Sequence, residues 1–551
     1  MFQLPIQYNE PLEVDSTLIK ELELVSTEDS SCTPIYHKLF LPKNNSSKKN
    51  VEQLAKYYTT NTTFLKESML VYKRFSHSIS SYDTFVDEWS KLQKNEEFKL
   101  TYQYINYDKF NFLNESSKFL FMISLYFITS PILFILSPLI MILLPFVFIQ
   151  IQGNKLSWET YKSHLYETTK HHAIFGLITK FSSANQNERI LLIVSASIFL
   201  VQTYCNGYAI YKFYQNIQAI HNLMDTLQLY MKQSLTSMDH FQTITNDLST
   251  YNEFNSTLTH HKNILSSYAN KIEYLKKISF SWHEFIHLGY LRRHFYELYT
   301  NKELQDSIQY SIEFNGFMSN IEQLSIQLNA KKINTCTFTT KTSFSHAYYP
   351  TTNPVKNSYH LNKNMIITGP NASGKTTCIK MTLINTLLSQ QIGCGFYKKA
   401  KVCPYDLFCC YINIPDTSGR DSLFQAEARR CKNVLDCIKN TKQRVLCIFD
   451  ELFSGTNPKE ASASAFAFLE YLSLQTNCTF LLTTHFLDVC KKLTQNESIS
   501  FHNMKTIVNH ENKLLYTYKI INGISDIYGG INVLIDMDYP SDIIKNAKLC
   551  G

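Results

Sequence analysis

Residues 365–377 read MIITGPNASGKTT. A short apolar run, residues 365–368, precedes a loop of the form G-x-x-x-x-G-K-[ST], and a helical stretch, residues 378–388, follows it. In this strand–loop–helix order, backbone amides of the loop cradle phosphates. We expect Lys375 to reach the β and γ phosphates and Thr376 to ligate Mg²⁺. The predicted nucleotide-binding residues are Gly369, Pro370, Asn371, Ala372, Ser373, Gly374, Lys375, Thr376 and Thr377.

Two further motifs follow apolar strand patterns downstream of this loop. Residues 445–449 lead into Asp450 and Glu451, and residues 479–482 lead into T-T-H, which ends at His485. We predict that Asp450 holds Mg²⁺ and that Glu451 polarises the attacking water as the general base. His485 is predicted to sense the γ-phosphate. An acidic pair or a single histidine is often structural, but in this order the three motifs predict Mg²⁺-dependent hydrolysis of ATP to ADP and phosphate.

The surrounding pattern predicts the fold class. After Pro350, short apolar runs alternate with helical stretches, which is typical of βαβ units and a largely parallel sheet. Residues 345–551 are therefore predicted to be an α/β P-loop NTPase domain with flanking helices. Residues 1–118 are predicted to be mainly helical, and residues 212–344 to form a long-helix lever or core region, because apolar residues recur at three- and four-residue spacing. Within it, residues 234–263 are polar on most faces, which favours solvent-exposed levers or a coiled hairpin over a compact core.

The motifs together resemble those of the MutS family of DNA mismatch-repair proteins. T-G-P-N-x-x-G-K-T, D-E-L-F-S-G-T-N and T-T-H-F match the family in order and spacing, and the similarity covers about residues 345–548. The segment GRDSLFQAE, residues 419–427, is similar to the family's S-x-F-x-x-E segment. The resemblance implies that Ser422 crosses a dimer interface and acts in trans at the partner's nucleotide. Further similar elements are V-K-N at 355–357, Y-G-G-I at 528–531 and YPSDII at 539–544.

The family resemblance also carries expectations about cofactors and partners. It implies ATP and Mg²⁺ as cofactors, a homo- or heterodimer formed through ABC/MutS-type ATPase domains, and DNA as a partner. ATP-driven dimerisation would then move the helical arms. The net charge of +7 is compatible with an anionic partner but is too small to demonstrate one. The 14 cysteines show no zinc-ligand spacing, so no structural metal is predicted.

The chain departs from the family pattern in two places. The aromatic residue that stacks on adenine in many MutS proteins falls near Pro354, and Tyr348 or Tyr349 is the predicted substitute. The start of the chain contains nothing similar to the mismatch-recognition domain, whose signature is Phe-x-Glu. Two such triplets occur, at residues 295–297 and 468–470, and for both the alternative is an ordinary amphipathic helix.

Two apolar segments interrupt the helical region. Residues 119–151 and 190–211 contain 33 and 22 consecutive residues without a charge, and about 20 suffice to cross a bilayer core. They predict two membrane segments, with a pair of helices buried in a large soluble core as the alternative. The first segment is predicted to be either one long span or a re-entrant hairpin, because helix-breaking prolines recur in it every seven residues. They are Pro131, Pro138 and Pro145.

The predicted location is membrane-associated, with the ATPase domain in the cytosol, where ATP is found. Two crossings would place the connecting loop, residues 152–189, on the other side of the membrane. This loop is rich in lysine, which favours the cytosolic side. Spanning and re-entrant arrangements therefore both stay open.

Three functions remain open on the sequence. The first is a membrane-tethered MutS-like ATPase that grips and releases DNA or another partner. The second is half of an ABC-type transporter, which is weaker because no L-S-G-G-Q-type segment is present and two apolar segments are few. The third is a membrane-remodelling ATPase without mismatch recognition.

Overall fold

The computed structural model describes residues 2–29, 31–79, 82–151, 153, 157–273, 282–412, 423–439, 442–508, 514–525, 527, 535, 537 and 539–550. The chain forms two compact units. The first comprises Met1–Ser80, Thr236–His260 and Tyr310–Gly551, and the second comprises Ser81–Leu235 and His261–Gln309. The predicted ATPase region lies in the first unit, and the first predicted apolar segment lies in the second.

Helices make up most of the described chain. In chain order they are α1 (Ser16–Glu21), α2 (Ile35–Phe40), α3 (Asn45–Leu54), α4 (Thr62–Arg74), α5 (Asp83–Gln93), α6 (Phe98–Thr101), α7 (Ser117–Ile151), α8 (Trp158–Thr169), α9 (Ala173–Lys180), α10 (Gln186–Thr245), α11 (Asn252–Ile272), α12 (Trp282–Thr300), α13 (Lys302–Asn329), α14 (Lys375–Ile392), α15 (Leu423–Lys439), α16 (Pro458–Ser473), α17 (Leu487–Leu493) and α18 (Ser541–Cys550).

The strands all belong to the first unit. They are β1 (Leu12–Glu13), β2 (Tyr57–Tyr58), β3 (Asn334–Phe338), β4 (Thr342–Ala347), β5 (Asn357–Leu361), β6 (Asn364–Thr368), β7 (Cys394–Gly395), β8 (Lys399–Val402), β9 (Leu407–Tyr411), β10 (Val445–Asp450), β11 (Cys478–Thr483), β12 (Ile499–Val508) and β13 (Leu514–Asn522). β1 and β2 form a two-stranded antiparallel pair.

Two larger sheets carry the α/β architecture. The main sheet has the order β13-β12-β6-β11-β10-β9, and all its neighbours are parallel except the pair β12–β13. The second sheet has the order β5-β4-β8-β3-β7 and is mixed. Continuous apolar runs such as 445–449 are buried on both faces, as central parallel strands require. The predicted α/β class with flanking helices is confirmed.

The parallel order determines where the sequence motifs meet. β6, β11 and β10 are neighbours and run in the same direction, so their carboxyl ends lie at one edge of the main sheet. The phosphate loop follows β6, Glu451 follows β10, and Thr484 follows β11. Three motifs far apart in sequence are therefore adjacent in the fold.

Helix α14, which begins at the phosphate loop, is fixed at its other end by buried amides. Gln391 Nε2 donates hydrogen bonds to the carbonyl oxygens of Tyr57 (2.8 Å) and Leu54 (3.0 Å). Gln390 Nε2 donates to the carbonyl oxygen of Tyr405 at 2.8 Å. Buried amides without partners are costly. The two bonds of Gln391 therefore hold Leu54 and Tyr57 against the last turn of α14, and the bond of Gln390 holds Tyr405 there.

Of the two arrangements predicted for residues 234–263, exposed levers are contradicted for the part that lies in the first unit. Residues 236–260, within the stretch predicted to form exposed levers, bury Phe241 and Phe254 completely. These rings lie 5.4 Å apart, and both pack on aromatic residues from distant parts of the chain. Phe2 is 6.0 Å from Phe254, and Phe314 is 5.7 Å from Phe241. Phe241 and Phe254 each bury a large area, so these two side chains determine the burial of a stretch whose composition is mostly polar.

The second unit contains α7 and the apolar part of α10, up to Leu235. α7 is continuous over 35 residues and about 52 Å long at 1.5 Å per residue, so the hairpin alternative for residues 119–151 is wrong. α10 continues the second apolar segment directly into the amphipathic region. Both helices are long and apolar enough to cross a membrane. Only 11% and 6% of their most apolar windows are buried within the chain.

Helix α12 anchors the first turns of α7 inside the second unit. A Cβ atom on Gly289 would lie 2.1 Å from the carbonyl oxygen of Ser117, so the helices can approach this closely only at a glycine. Arg292 is fully buried, and its guanidinium donates to Ser124 Oγ (2.7 Å) and to the carbonyl oxygen of Gln103 (2.7 Å). Ser124 is a residue of α7, so the N-terminal part of this apolar helix is held by hydrogen bonding to the Arg292 guanidinium.

Neither Phe-x-Glu triplet presents its phenylalanine at the surface. Phe295 is fully buried and its ring lies 4.8 Å from that of Tyr102. Phe468 is buried in the core of the first unit, 5.6 Å from Phe449. Both residues belong to packed helices, as the alternative interpretation predicted, and neither is available to insert beside a base.

Candidate active site

The phosphate loop joins β6 to α14 and depends on its glycines. Gly369 and Gly374 have φ angles of +149° and +94°. Residues with a Cβ atom rarely adopt such angles. Gly374 immediately precedes the first residue of α14, so the loop directs backbone amides at the helix N-terminus. Ser373 Oγ is buried and has no hydrogen-bond partner among the described residues. A loop of this form, with an unsatisfied hydroxyl, fits a phosphate group.

Lys375 lies over its own loop. Its side chain is only 5% exposed, and Nζ donates to the carbonyl oxygens of Gly369 (3.1 Å) and Pro370 (3.3 Å). Burial lowers the pKa of Lys375, and the charges of Glu451 and Asp450 offset part of this effect. The ammonium group is therefore fixed next to the place where the loop would hold phosphate.

Asp450 is held by two hydroxyl groups. Thr376 Oγ1 donates to Asp450 Oδ2 at 2.7 Å, and Thr483 Oγ1 donates to Asp450 Oδ1. Mg²⁺ prefers oxygen ligands and usually keeps few protein ligands besides substrate phosphates and water. The pair Thr376–Asp450 fits this pattern. Within the described residues, no group of three or more His, Cys, Asp or Glu side chains could hold a metal by itself.

Glu451 and His485 form the remaining part of the site. His485 Nε2 lies 2.7 Å from Glu451 Oε1 and 3.1 Å from Lys375 Nζ. The hydrogen bond from His485, with the charges of His485 and Lys375, lowers the pKa of Glu451 although the carboxyl is partly buried. Glu451 is thus ionised at neutral pH and can accept a proton. The structure brings together Lys375, Thr376, Asp450, Glu451 and His485.

The backbone at Glu451 is left-handed, with a φ of +53°, and Phe453 follows with +59°. This conformation costs roughly 1–2 kcal/mol for a residue with a side chain, so neighbouring contacts must impose it. Glu427 supplies such contacts: Oε1 accepts from Ser454 Oγ (2.9 Å) and Oε2 from the Gly455 amide (3.3 Å). Glu427 is the last residue of the S-x-F-x-x-E segment, which is therefore bound to the loop after Glu451.

Some predicted elements lie outside the described residues. Ser422 is among them, with the rest of residues 413–422, and so is the Y-G-G-I element at residues 528–531. The role assigned to Ser422 stays a prediction.

A cleft of about 520 Å³ opens beside the phosphate loop. Of the two tyrosines predicted to contact the base, Tyr349 lines this cleft. Tyr348 instead packs against Phe396, with ring centroids 5.7 Å apart. The loop residues that line the cleft are Asn371, Ala372, Gly374, Lys375, Thr376 and Thr377, and Glu451 also lines it.

Sequence reasoning assigned no role to three further residues of the site, although Asn357 ends the V-K-N element and Thr483 begins the T-T-H motif. Tyr518, on the edge strand β13, lines the cleft and lies within 3.0 Å of a Cβ built on Gly374. Asn357 fixes this strand, because its Nδ2 donates to the Tyr518 carbonyl oxygen (3.0 Å) and its Oδ1 accepts from the Ile520 amide (3.0 Å). The third is Thr483, the register partner of Asp450. Its position at the last residue of β11 was the available signal.

Comparison with known proteins finds a family model and several relatives that are similar to this region. Residues 365–550 match the family model described as MutS domain V. The DNA mismatch repair protein MSH2 of Saccharomyces cerevisiae is 31% identical over 194 residues, which cover 33% of this chain and 20% of the yeast protein. DNA mismatch repair protein MutS of Oceanobacillus iheyensis is 30% identical over 192 residues, and MutS protein homolog 4 of Mus musculus is 27% identical over 208 residues.

These matches cover about a third of this chain and about a fifth of each relative. The recognition made from the motifs is confirmed for the C-terminal region, which corresponds to the ATPase region of the MutS family.

Proposed function

We propose that this chain is a Mg²⁺-dependent ATPase of the MutS type, and that two chains pair through their C-terminal regions when they bind ATP. One observation carries this proposal. Lys375, Glu451 and His485 converge, with distances of 2.7–3.9 Å between their charged or polar atoms, beside the hydrogen-bonded pair Thr376–Asp450. Homology of residues 365–550 to MutS domain V supports the same reaction.

Each residue has a distinct role in this hydrolysis. The loop amides and Lys375 bind the β and γ phosphates, and Thr376 and Asp450 hold Mg²⁺, which neutralises charge on the phosphates when bound. Glu451 accepts the proton of the attacking water, which adds to the γ-phosphorus while ADP leaves. His485 keeps the Glu451 carboxylate oriented through its 2.7 Å contact.

The nucleotide base is proposed to lie between Tyr349 and Tyr518. Stacking on an aromatic ring contributes about 1–3 kcal/mol per base, so Tyr349→Ala or Tyr518→Ala should weaken ATP binding by about tenfold. Titration with a fluorescent ATP analogue measures this loss. Tyr348→Ala is the matched control, because this ring packs on Phe396 outside the cleft. Equal affinities of all three variants and the wild type would show that the base binds elsewhere.

DNA is the proposed partner of the ATP-driven movement. Support comes from the relatives, whose names describe DNA mismatch repair. Mismatch recognition through either Phe-x-Glu triplet is not part of the proposal, because both phenylalanines are buried. We propose instead that ATP-dependent pairing changes the grip of the chain on DNA. A full-length chain that binds no duplex at low salt would remove DNA from this function.

Attachment to a membrane is a second part of the proposal. α7 and α10 expose large apolar residues such as Leu133, Leu139 and Ile198, which water solvates poorly. A bilayer would cover them, with the ATPase region on the cytosolic side. Their exposure also supports the alternative function, a membrane-anchored remodelling ATPase without mismatch recognition. An ABC-type transporter gains no comparable support from two helices.

Cell fractionation checks the attachment. The full chain is expected in the membrane pellet after an alkaline carbonate wash and is expected to need detergent for release. The reason is that the uncharged segments 119–151 and 190–211 are each longer than the roughly 20 residues that cross a bilayer core. A matched variant, Leu133→Lys/Leu139→Lys, should shift towards the soluble fraction, since each charge in a bilayer costs about 2.5–3.5 kcal/mol. Recovery of the wild type without detergent would contradict the attachment.

A further inference from the structure

The segment that contains the second sheet has an unusual charge composition. Residues 323–405 contain no aspartate or glutamate, whereas 46 acidic residues in a chain of 551 correspond to about seven in 83 positions. The same segment contains ten lysines. One of them, Lys375, belongs to the phosphate loop, and the nine others lie outside it. All 83 residues are described, so the location of this positive charge can be read from the fold.

Strand β8 presents two of these lysines on one face. Lys399 and Lys401 are exposed, and they alternate with the buried residues Ala400 and Val402. Since side chains alternate between the two faces of a strand, both ammonium groups extend from the outer face of the second sheet. The other face of the strand packs into the core of the first unit.

The neighbouring strands extend this polar face. Register pairs join Lys401 to Ser343 on β4 and to Thr337 on β3, and Ser343 to His360 on β5. His360, Ser343, Lys401 and Thr337 therefore form one row across four strands, about 14 Å long at 4.8 Å per strand. We call these four residues and Lys399 the basic face.

Nothing within the described chain neutralises this face. None of its outward positions carries a carboxylate, and neither Lys399 nor Lys401 forms an ion pair with a described residue. Lys341 and Lys363 are exposed in the turns that join β3 to β4 and β5 to β6. The face therefore combines a concentrated positive charge with hydroxyl groups, and both bind phosphate oxygens.

A groove continues the positive surface past the end of β8. It has a volume of about 520 Å³, and its lining includes Lys66, Lys442 and Arg444. The groove is contiguous with the strand, because the amide of Thr339, which lines it, donates to the carbonyl oxygen of Val402 at 2.9 Å. One carboxylate lines it as well: Asp406 Oδ2 accepts a hydrogen bond from the Arg444 amide at 2.8 Å.

We propose that the basic face binds the phosphate backbone of a nucleic acid. A membrane surface fits less well, because the basic face contains no apolar side chain to insert between lipids and would bind them by charge alone. Base-specific contact fits poorly too, because the basic face contains no Phe, Tyr or Trp, and His360 is its single ring available for stacking. The inference rests on the DNA-binding part of the proposed function, and it assigns that contact to the ATPase region itself.

The test compares two doubly neutralised variants of the full chain. Lys399→Gln/Lys401→Gln changes the basic face, and Lys491→Gln/Lys492→Gln removes the same charge from exposed positions on α17. Duplex affinity is measured by fluorescence anisotropy over a series of salt concentrations, with matched and mismatched duplexes. ATP hydrolysis without DNA is the check that each variant folds.

The basic-face variant is expected to bind both duplexes about tenfold more weakly. Its slope of log K against log salt should fall by about 2, one for each lost phosphate contact. The α17 variant should match the wild type in affinity and slope. Hydrolysis without DNA should be the same in all three proteins, because neither lysine pair lines the cleft.

The possible contrary outcomes separate two failures. If the wild type binds no duplex at low salt, the DNA-binding part of the proposed function fails, and the inference fails with it. If the wild type binds and the basic-face variant matches it in affinity and slope, only the location is wrong. A third arm uses vesicles that contain phosphatidylserine. Loss of vesicle binding by the basic-face variant with unchanged DNA binding would assign the face to lipid and overturn the inference.

Discussion

Replacement of Glu451 by glutamine is expected to reduce ATP turnover by about 10²–10⁴-fold and to leave ATP binding intact. Glutamine has the same shape and can still accept the hydrogen bond from His485, but it cannot take a proton from water. Lys375 and Thr376, which bind phosphate and Mg²⁺ in the proposed mechanism, are unchanged. Phosphate release in the steady state measures turnover, and a fluorescent ATP analogue measures affinity.

Glu470→Gln is the matched control for this change, since Glu470 is an exposed carboxylate on α16. It should hydrolyse ATP at the wild-type rate. Unchanged turnover in Glu451→Gln would show that another group activates the water. Loss of ATP binding in the same variant would show that Glu451 supports the fold of the loop rather than the chemistry.

Mixing two inactive variants is expected to restore about a quarter of the wild-type ATPase activity. In the proposed dimer, each site takes Lys375 from one chain and Ser422 from its partner. Random pairing of Lys375→Ala with Ser422→Ala makes half of the dimers mixed, and each mixed dimer contains one site with both residues intact. Half of the dimers are mixed, and half of the sites in each mixed dimer are active, so about a quarter of the wild-type number of sites is active.

A second mixture tests whether the recovery depends on the interface. Lys375 and Glu451 of one chain lie 3.9 Å apart, so they serve the same site. Mixed dimers of Lys375→Ala and Glu451→Gln therefore have no intact site, and no activity should return. Recovery in both mixtures would point to exchange of whole domains. Activity no higher than the average of the two parents in the first mixture would mean that Ser422 does not act in trans.

The residues that sequence reasoning located share a local signature. Asp450 and Glu451 stand at the end of β10, His485 comes two residues after β11, and Lys375 follows β6 through the phosphate loop, so their environment is encoded within a few positions. Because the strands are parallel neighbours, a common edge could be predicted without coordinates. This is why the convergence of these four side chains could be predicted from the sequence.

The roles that were not predicted depend on contacts between distant segments of the chain. Asn357 and Tyr518 are 161 positions apart and meet only because β13 is the edge strand beside β12. The burial of Phe241 depends on Phe314, which belongs to a different helix. The polar composition of residues 234–263 carries no information about the contact of Phe241 with Phe314, so the prediction of exposed levers failed for this tertiary reason.

Because of the left-handed backbone at Glu451, substitutions that stabilise the fold at this position are expected to reduce ATP turnover. Glycine and asparagine adopt a φ of +53° at less cost than glutamate, so they would relax the loop that Glu427 now constrains. A library screened only for soluble expression is therefore expected to drift to glycine or asparagine at position 451. Selection for ATP-dependent function would retain the glutamate. Variants chosen for robustness alone would thus include folded proteins that bind nucleotide without consuming it.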